Sequence, residues 1–231
     1  MVAEVPVLAL DGPGGSGKGT VASRIAMLRH WRILDSGALY RAFAFSAQKL
    51  GVLPDDLLGI QRILAETDFD FVVEKTGEVI ILVNGNDVTT ALRSPDAGLA
   101  ASTYASQQSV RECLIARQRF ERQAPGLVAD GRDMGTVVFP DATLKVFLTG
   151  TLKIRARRRY KQLLEKGFSA TLAGVEQEVS ARDQNDRSRA VSPLEPASDA
   201  VTIDTTEIGI DQVVKKVDDL LTAKLTQSNN G

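Results

Sequence analysis

The chain has few of the residues on which several classes of protein depend. Its 231 residues include one cysteine, Cys113, so an intramolecular disulfide is excluded and a reducing cytoplasm is the compartment we expect. Cys113 falls inside a helical pattern, which favours an inert, partly buried thiol over a nucleophile. The single histidine, His30, falls where a helix gives way to a strand, which favours a structural role over general-base catalysis.

Aromatic residues and net charge are equally sparse. Aromatics make up 5% of the chain, none of them alternates with the basic residues, and the formal net charge is −1. Neither an aromatic stacking platform nor a basic field is therefore present to bind nucleic acid or an anionic membrane. No apolar run approaches the roughly 18 residues that span a bilayer, and no cleavable signal precedes the first strand. We expect a soluble, cytoplasmic protein, monomeric because no heptad pattern or long apolar surface is visible.

The most informative segment that is present is a glycine-rich loop carrying one lysine and one hydroxyl. The apolar run 5–10 predicts a buried strand before it, and Val21, Ile25 and Leu28 predict one apolar helix face after it. Backbone N–H groups in such a loop converge on an anion, the helix dipole favours negative charge, and Lys18 reaches the outer phosphates. An ordinary strand-to-helix turn is the alternative. The residues that would bind a nucleoside triphosphate are Gly12, Pro13, Gly14, Gly15, Ser16, Gly17, Lys18, Gly19 and Thr20.

The loop departs from the usual pattern at one position. Gly19 follows the lysine where serine or threonine normally stands, and the hydroxyl comes one residue later, at Thr20. This displacement argues against a direct side-chain ligand for magnesium. We expect Mg²⁺ to be bound through the nucleotide phosphates and water, with no metal ligand from the protein.

Short apolar runs alternate with helical patterns along the chain, at 5–10, 31–34, 127–129, 144–148 and 200–203. This alternation predicts an α/β fold whose parallel sheet is covered on both faces, with ligands at the carboxyl ends of the strands. Residues 66–93 break the alternation, because Asn84-Gly85 between strand-like runs indicates a hairpin. We therefore expect a single domain with a core of residues 1–65, 94–150 and 191–226 and a small antiparallel insertion at 66–93. Ser94-Pro95 predicts a helix start, and the helical pattern continues with interruptions to Arg122.

Polar residues follow the second and third strands of this core. Ser36 comes directly after the second strand, where it either caps the next helix or faces the ligand crevice, and Arg41 lies one helical turn further on. After the third strand, glycines flank Arg132 and Asp133, which permits tight turns and close approach of a ligand. A buried ion pair between Arg132 and Asp133 is the alternative.

Arginine is dense in two later segments, 155–159 and 182–189. A solvated helix face would explain such charge, but guanidinium forks match phosphate oxygens bidentately, whereas lysine acts as a point charge. Phosphoryl transfer spreads negative charge over oxygens that arginines in a dry site neutralise. The arginines therefore favour a phosphoryl-transfer enzyme over a nucleotide switch.

These motifs together resemble the bacterial cytidylate kinases, a family of P-loop nucleoside monophosphate kinases. The resemblance runs almost end to end through the glycine loop and the segments 35–41, 129–141, 165–168 and 182–190, with Gln184 and Asn185 as its departures. It implies ATP-dependent phosphorylation of CMP and dCMP to CDP and dCDP. The implied architecture is a three-layer P-loop kinase fold with a five-stranded parallel sheet, a monophosphate-binding insertion and a helical lid at 151–190 that closes when both substrates are bound.

The resemblance also assigns roles to individual residues. Ser102 would meet the cytosine, Asp186 the sugar hydroxyl, and Arg41 the acceptor phosphate. The acceptor site as a whole would comprise Ser36, Arg41, Ser102, Arg111, Arg132, Asp133, Arg182, Asp186 and Arg189. The lid arginines Arg155 and Arg158 would fold over ATP, and the catalytic set would be Lys18, Arg132, Arg182 and Arg189. The nucleophile would be a phosphate oxygen whose second pKa is about 6, so no general base is required.

Two alternatives remain open at this point. Another small-molecule P-loop kinase, acting on UMP, AMP or shikimate, would share the phosphate loop, since composition cannot identify a base. A non-catalytic nucleotide switch would need no second phosphate site, and the arginines argue against it.

Overall fold

The computed structural model describes residues 5–165, 167–188 and 192–228. Its strands are β1 (Val7–Asp11), β2 (Arg32–Asp35), β3 (Phe69–Val73), β4 (Val79–Val83), β5 (Asn86–Asp87), β6 (Leu127–Asp130), β7 (Leu144–Thr149) and β8 (Val201–Asp204). Its α-helices are α1 (Lys18–Arg29), α2 (Ser36–Lys49), α3 (Leu57–Glu66), α4 (Thr89–Leu92), α5 (Pro95–Ala105), α6 (Gln108–Phe120), α7 (Leu152–Glu165), α8 (Leu172–Ser188) and α9 (Ile210–Ser228). A π-helical turn covers Met134–Val138.

The main sheet has five parallel strands in the order β2-β6-β1-β7-β8. Every residue of β1 is buried, as the apolar run requires for the central strand of a sheet covered on both faces. The predicted parallel sheet is confirmed, but all five strands run one residue past the predicted apolar runs. Four of them end in an aspartate, namely Asp11, Asp35, Asp130 and Asp204. The sheet therefore delivers a row of aspartates to its carboxyl edge.

Two hydrophobic cores cover the two faces of this sheet. One includes Phe43, Phe69 and Phe139, and the other includes Ile25 and Val217. The helix after the glycine loop packs through Val21 and Ile25, but Leu28 is 58% exposed and does not belong to the predicted apolar face. That helix reaches the sheet with its first two turns and turns its end toward solvent.

The predicted antiparallel insertion forms a separate sheet in the order β3-β4-β5. Asn84 and Gly85 both have positive φ angles, 51° and 74°, which fits the two-residue turn that Asn-Gly favours. The helical pattern that follows resolves into α5 and α6. The first of them begins as predicted, where the Ser94 hydroxyl accepts a hydrogen bond from the Ala97 N–H.

The segment predicted as a lid consists of α7 and α8, which pack on each other through Ala156, Val175 and Val179. No helix in the described ranges is long and apolar enough to cross a membrane.

Candidate active site

The glycine loop between β1 and α1 has a backbone conformation that residues with a Cβ atom could not adopt. Gly12 has a φ of 141°, and a Cβ placed there would lie 2.0 Å from the carbonyl oxygen of Leu148. Gly15 has a φ of 75°, and its Cβ would lie 2.7 Å from the carbonyl oxygen of Arg155. Gly17 stands at the N-terminal end of α1 with a φ of 95°. The loop thus lies against the end of β7 and the start of α7, and it leads directly into the N-terminus of α1.

Lys18 is the first residue of α1, and its ammonium group lies inside the loop. It donates a hydrogen bond of 3.1 Å to the carbonyl oxygen of Pro13 and lies 3.9 Å from a carboxylate oxygen of Asp130. Burial lowers the pKa of Lys18 and repulsion from Arg132 lowers it further, while Asp130 opposes both effects. Burial also raises the pKa of Asp130. An anion bound in the loop would add a second, closer counter-charge to the 3.9 Å ion pair with Asp130.

Helix α2, which follows the second strand, is capped by Asp35 rather than by Ser36. The Asp35 side chain accepts a hydrogen bond of 2.8 Å from the Ala38 N–H and so caps α2. The capping role considered for Ser36 is therefore wrong, because Ser36 is already the first helical residue, where it is buried. Arg41, one turn along α2, lies 3.9 Å from Asp35.

Arg132 and Asp133 are both paired, but not with each other. The Nε of Arg132 donates a hydrogen bond of 2.9 Å to Asp186 on α8, and Arg111 on α6 donates one of 2.8 Å to Asp133. The alternative of an Arg132–Asp133 ion pair is thus wrong, because the loop splits the two side chains between different helices. The buried Nε of Arg111 has no hydrogen-bond partner among the described residues. A buried donor left unpaired is unfavourable, so a ligand acceptor at this point would be stabilised.

Arg182 on α8 completes a concentration of positive charge. Among the described residues it has no hydrogen bond or ion pair, and desolvation lowers the pKa of its guanidinium. Repulsion from Arg132, Arg41 and Arg159 contributes in the same direction, whereas Asp186 opposes it. The side chain nevertheless keeps an exposed surface, so this cluster of arginines is open to water. Such a cluster has the electrostatic character of a phosphate site.

The two lid arginines predicted to fold over ATP have distinct surroundings. Arg155 is buried, forms a two-pronged ion pair with Asp183 on α8, and donates a hydrogen bond of 3.0 Å to the carbonyl oxygen of Gly14 in the phosphate loop. Arg158 instead donates to the hydroxyl and the carbonyl oxygen of Thr205, just after β8. Arg155 therefore contacts the phosphate loop directly, while Arg158 is joined to the loop that follows the last strand.

Three side chains at the candidate site are not among the residues predicted from the sequence. They are Asp183, which holds Arg155, Thr205, whose buried hydroxyl lies 3.1 Å from the carbonyl oxygen of Ser16, and Asp11, which is described below. The sequence pattern could have predicted Asp11 as a site residue, because it directly follows an apolar run, as Asp35 and Asp130 do. Asp183 and Thr205 carried no comparable local signal.

One further predicted residue, Ser102, lies apart from these contacts. The Ser102 hydroxyl is exposed on α5 and donates to the carbonyl oxygen of Gly98 in its own helix, and among the described residues it makes no hydrogen bond to the paired arginines. Arg189 lies outside the described residues. His30 ends α1 with a φ of 55°, and burial raises the pKa of the Cys113 thiol on α6, which keeps it protonated near neutral pH.

A cavity of about 630 Å³ adjoins this region between α7 and α8. Arg155 and Asp183 line it together with Gly150 and Leu152, whereas Arg132 is not part of its wall. The cavity thus lies beside Arg155, whose side chain also contacts Gly14 of the phosphate loop. Within the described ranges, no set of three or more His, Cys, Asp or Glu side chains is arranged to hold a metal ion.

Comparison with known proteins gives a consistent result over nearly the whole length. A family model described as cytidylate kinase matches residues 8–223. The cytidylate kinase of Pseudomonas entomophila (strain L48) is 50% identical over 219 residues, which cover 94% of this chain and 96% of that protein. The cytidylate kinase of Pseudomonas putida (strain KT2440) is 50% identical over 214 residues, covering 92% and 93%. Among solved structures, shikimate kinase from Acinetobacter baumannii in complex with shikimate aligns over 95% of this chain and 94% of its own at 18% identity and a TM-score of 0.47, a similarity too low to bear on substrate.

Proposed function

The chain belongs to the cytidylate kinase family and is a nucleoside monophosphate kinase, and we propose that it transfers the γ-phosphoryl group of ATP directly to CMP and dCMP, giving CDP and dCDP. The observation that carries this proposal is the position of two loops, each with basic side chains, at the ends of adjacent parallel strands. The phosphate loop follows β1, and the Arg132–Asp133 loop follows β6, which lies next to β1 in the sheet. A donor and an acceptor phosphate bound there would face each other at one sheet edge.

The donor site would be the phosphate loop, residues 12–20. Its amides and the ammonium group of Lys18 would bind the ATP phosphates, and Arg155 would approach from α7, since it already contacts Gly14. Arg158 would have to leave Thr205 before it could reach ATP.

The acceptor site would be formed by the paired residues of α6, α8 and the loop after β6. Arg41 and Arg182 would bind the CMP phosphate together with Arg189, and Asp186 would accept a hydrogen bond from the sugar. Arg111 and Arg132 would help to orient the base or the phosphate, and Ser102 would meet the cytosine. Asp133 would hold Arg111, and Ser36 would line the site at the start of α2. The unpaired Nε–H of Arg111 supports a ligand acceptor at this point.

The reaction would be a direct in-line displacement. An ionised phosphate oxygen of CMP forms a bond to the γ-phosphorus while the bond from that phosphorus to the β-phosphate oxygen breaks, and ADP leaves with the electron pair. No proton has to be removed from a phosphate dianion. The mechanism therefore suits a chain whose single histidine, His30, lies at the end of α1. The catalytic residues, Lys18, Arg132, Arg182 and Arg189, would align the phosphates and neutralise the charge on the transferred group.

Magnesium fits this arrangement as a hydrated ion. Asp35 and Asp130 are register partners at the ends of adjacent strands, and the nearby Thr20 is exposed at the start of α1. These oxygens would hold the water ligands of an ion bound mainly by the ATP phosphates, as Mg²⁺ prefers. When bound, the ion would neutralise charge on the β- and γ-phosphate oxygens.

We extend the proposal to the organisation of the molecule. Residues 66–93 would be the monophosphate-binding insertion, residues 151–190 the lid, and the remainder the core of one monomeric, cytoplasmic domain that binds no nucleic acid. The lid would close only when both substrates are bound, which keeps water from the γ-phosphate. Measurement of ATP hydrolysis with and without CMP tests the lid, and equal rates would contradict it.

The substrate is tested by measuring ADP release in parallel with CMP, dCMP, UMP, AMP and shikimate as acceptors. We expect CMP and dCMP to give the highest kcat/KM. A higher value for UMP, AMP or shikimate would replace the proposed substrate with another acceptor. ATP and CMP binding without ADP release would favour the nucleotide switch instead.

A further inference from the structure

Asp11 joins the two halves of the site without being part of either. It is the last residue of the central strand β1, it is 4% exposed, and Gly12 of the phosphate loop follows it directly. A carboxylate at such a position requires hydrogen-bond donors, because burial of an unpaired charge is strongly unfavourable.

The donors come from a segment more than a hundred residues away in the chain. One carboxylate oxygen of Asp11 accepts a hydrogen bond of 2.8 Å from the Met134 N–H, and the other accepts one of 2.7 Å from the Gly135 N–H. These are the first two residues of the π-helical turn, whose N–H groups have no partner within the turn. Asp11 therefore caps this turn from another strand.

The usual candidate for this role is occupied elsewhere. Asp133 directly precedes the turn, but its side chain makes no capping hydrogen bond and instead accepts one from Arg111. Because Asp11 satisfies the turn, Asp133 is free to hold Arg111. The neighbouring Arg132 is at the same time free to reach Asp186.

We infer that Asp11 is a positioning residue, which fixes the Arg132–Asp133 loop relative to the phosphate loop and thereby orients the groups that bind the acceptor nucleotide. This inference rests on the proposed function. It assigns to Asp11 an effect on acceptor binding that is separable from ATP binding, although Asp11 adjoins the ATP loop in sequence.

The packing around the contact leaves little freedom for another arrangement. A Cβ placed on Gly135 would lie 3.4 Å from the Oδ2 of Asp11 and 3.1 Å from the Cδ of Lys145. Gly135→Ala would therefore crowd the Lys145 side chain and put a methyl group in van der Waals contact with the Asp11 carboxylate, while leaving every charge in place. Asp11 and Gly135 offer two independent ways to disturb one contact.

The experiment measures CMP and ATP binding separately by calorimetry in wild-type protein and in Asp11→Asn. Asparagine keeps the size but turns one acceptor into an NH₂ group, which would face an N–H donor. We expect the Kd for CMP to rise by about tenfold or more and the Kd for ATP to change by less than about twofold.

Glu121→Gln provides a matched control. Glu121 is a buried carboxylate, 3% exposed, that accepts hydrogen bonds from Arg32 and Arg117 away from both proposed sites. The control is expected to leave both dissociation constants unchanged. It separates neutralisation of a buried carboxylate in general from loss of this particular contact.

Unchanged CMP binding in a folded Asp11→Asn variant, or equal losses of CMP and ATP binding, would overturn the inference. If Asp11→Asn does not fold, Gly135→Ala decides by the same two measurements. Wild-type protein that binds no CMP would refute the proposed function itself, whereas wild-type binding that the variants retain would refute only the role of Asp11.

Discussion

Lys18 gives the sharpest test of the donor site, because its burial separates an effect on catalysis from an effect on folding. Lys18→Met keeps an unbranched side chain of similar length and removes the charge. In the folded protein, Lys18 is 5% exposed, and burial lowers its pKa, which means that the charged form is held at a cost. The substitution removes that cost together with the ion pair to Asp130 and one hydrogen bond from the charged ammonium to Pro13, a bond worth about 1.5–3 kcal/mol.

Relief of the desolvation cost stabilises the variant and loss of the Lys18 contacts destabilises it, so the two effects on stability oppose each other. Loss of the positive charge lowers turnover, and no other change in the variant offsets that loss. We expect the free energy of unfolding to change by less than about 2 kcal/mol. In a water-excluded site, loss of one preorganised group that stabilises developing charge lowers kcat by about 10²–10³, equivalent to about 2.7–4 kcal/mol. Asp130 would lose its cationic neighbour, so its pKa would rise further in the variant.

The assay measures ADP release with CMP at saturating substrates, alongside urea denaturation of the same preparations. Lys145→Met is the matched control, because Lys145 is a second buried lysine, 8% exposed, whose ammonium pairs with Asp199 outside the proposed site. We expect the control to retain turnover within about twofold. A folded Lys18→Met variant with more than about a tenth of wild-type turnover would refute the reasoning, as would an equal loss in the control.

Three further predictions follow from the same geometry. Gly12→Ala places a Cβ 2.0 Å from the Leu148 carbonyl oxygen at a φ of 141°, so we expect ATP affinity measured by calorimetry to fall at least about tenfold, and unchanged affinity would contradict the loop geometry. Phe43→Ala removes a fully buried ring that packs edge-to-face on Tyr104 at 5.6 Å between centroids, and urea denaturation should show a loss of about 3–5 kcal/mol; a loss below about 1 kcal/mol would be inconsistent with this packing. Burial raises the pKa of Asp11 from 3.8 to about 6, so between these values the unfolded chain loses its proton first and the contribution of Asp11 to stability falls as pH rises. The stability of wild-type protein relative to Asp11→Asn should accordingly decrease by up to about 3 kcal/mol from pH 4 to pH 7, and a difference that does not vary with pH would exclude this shift.

The parts of the fold that sequence could predict are those determined by neighbouring residues. The parallel strands follow from apolar runs bounded by polar residues, and the hairpin follows from Asn84-Gly85, whose positive φ angles few other residue pairs adopt readily. The phosphate loop belongs to the same class, because Gly12 and Gly15 are required by their own backbone angles. The strand ends were placed too early, since an aspartate breaks an apolar pattern without breaking a strand.

The parts that sequence could not predict are the partners of charged side chains. Asp35 rather than Ser36 caps α2, a choice between adjacent residues that depends on where the strand ends. Arg132 and Asp133 are neighbours in sequence, yet they pair with α8 and α6, because the backbone bends at these residues and their side chains reach different helices. Such pairings depend on the packing of helices over the sheet, and local propensity carries no signal for them.

The ion pairs of Asp183 and Asp186 give α8 a central place in the proposed mechanism. Asp183 and Asp186 are three residues apart, so they lie on neighbouring positions of one helix face. Asp183 is joined through Arg155 to the carbonyl oxygen of Gly14 in the donor loop, and Asp186 is joined to Arg132 in the acceptor loop. One helix therefore contacts both loops through two ion pairs, and a displacement of α8 would alter both at once. Closure over either substrate would then change the geometry offered to the other, which is the requirement for a lid that responds to both.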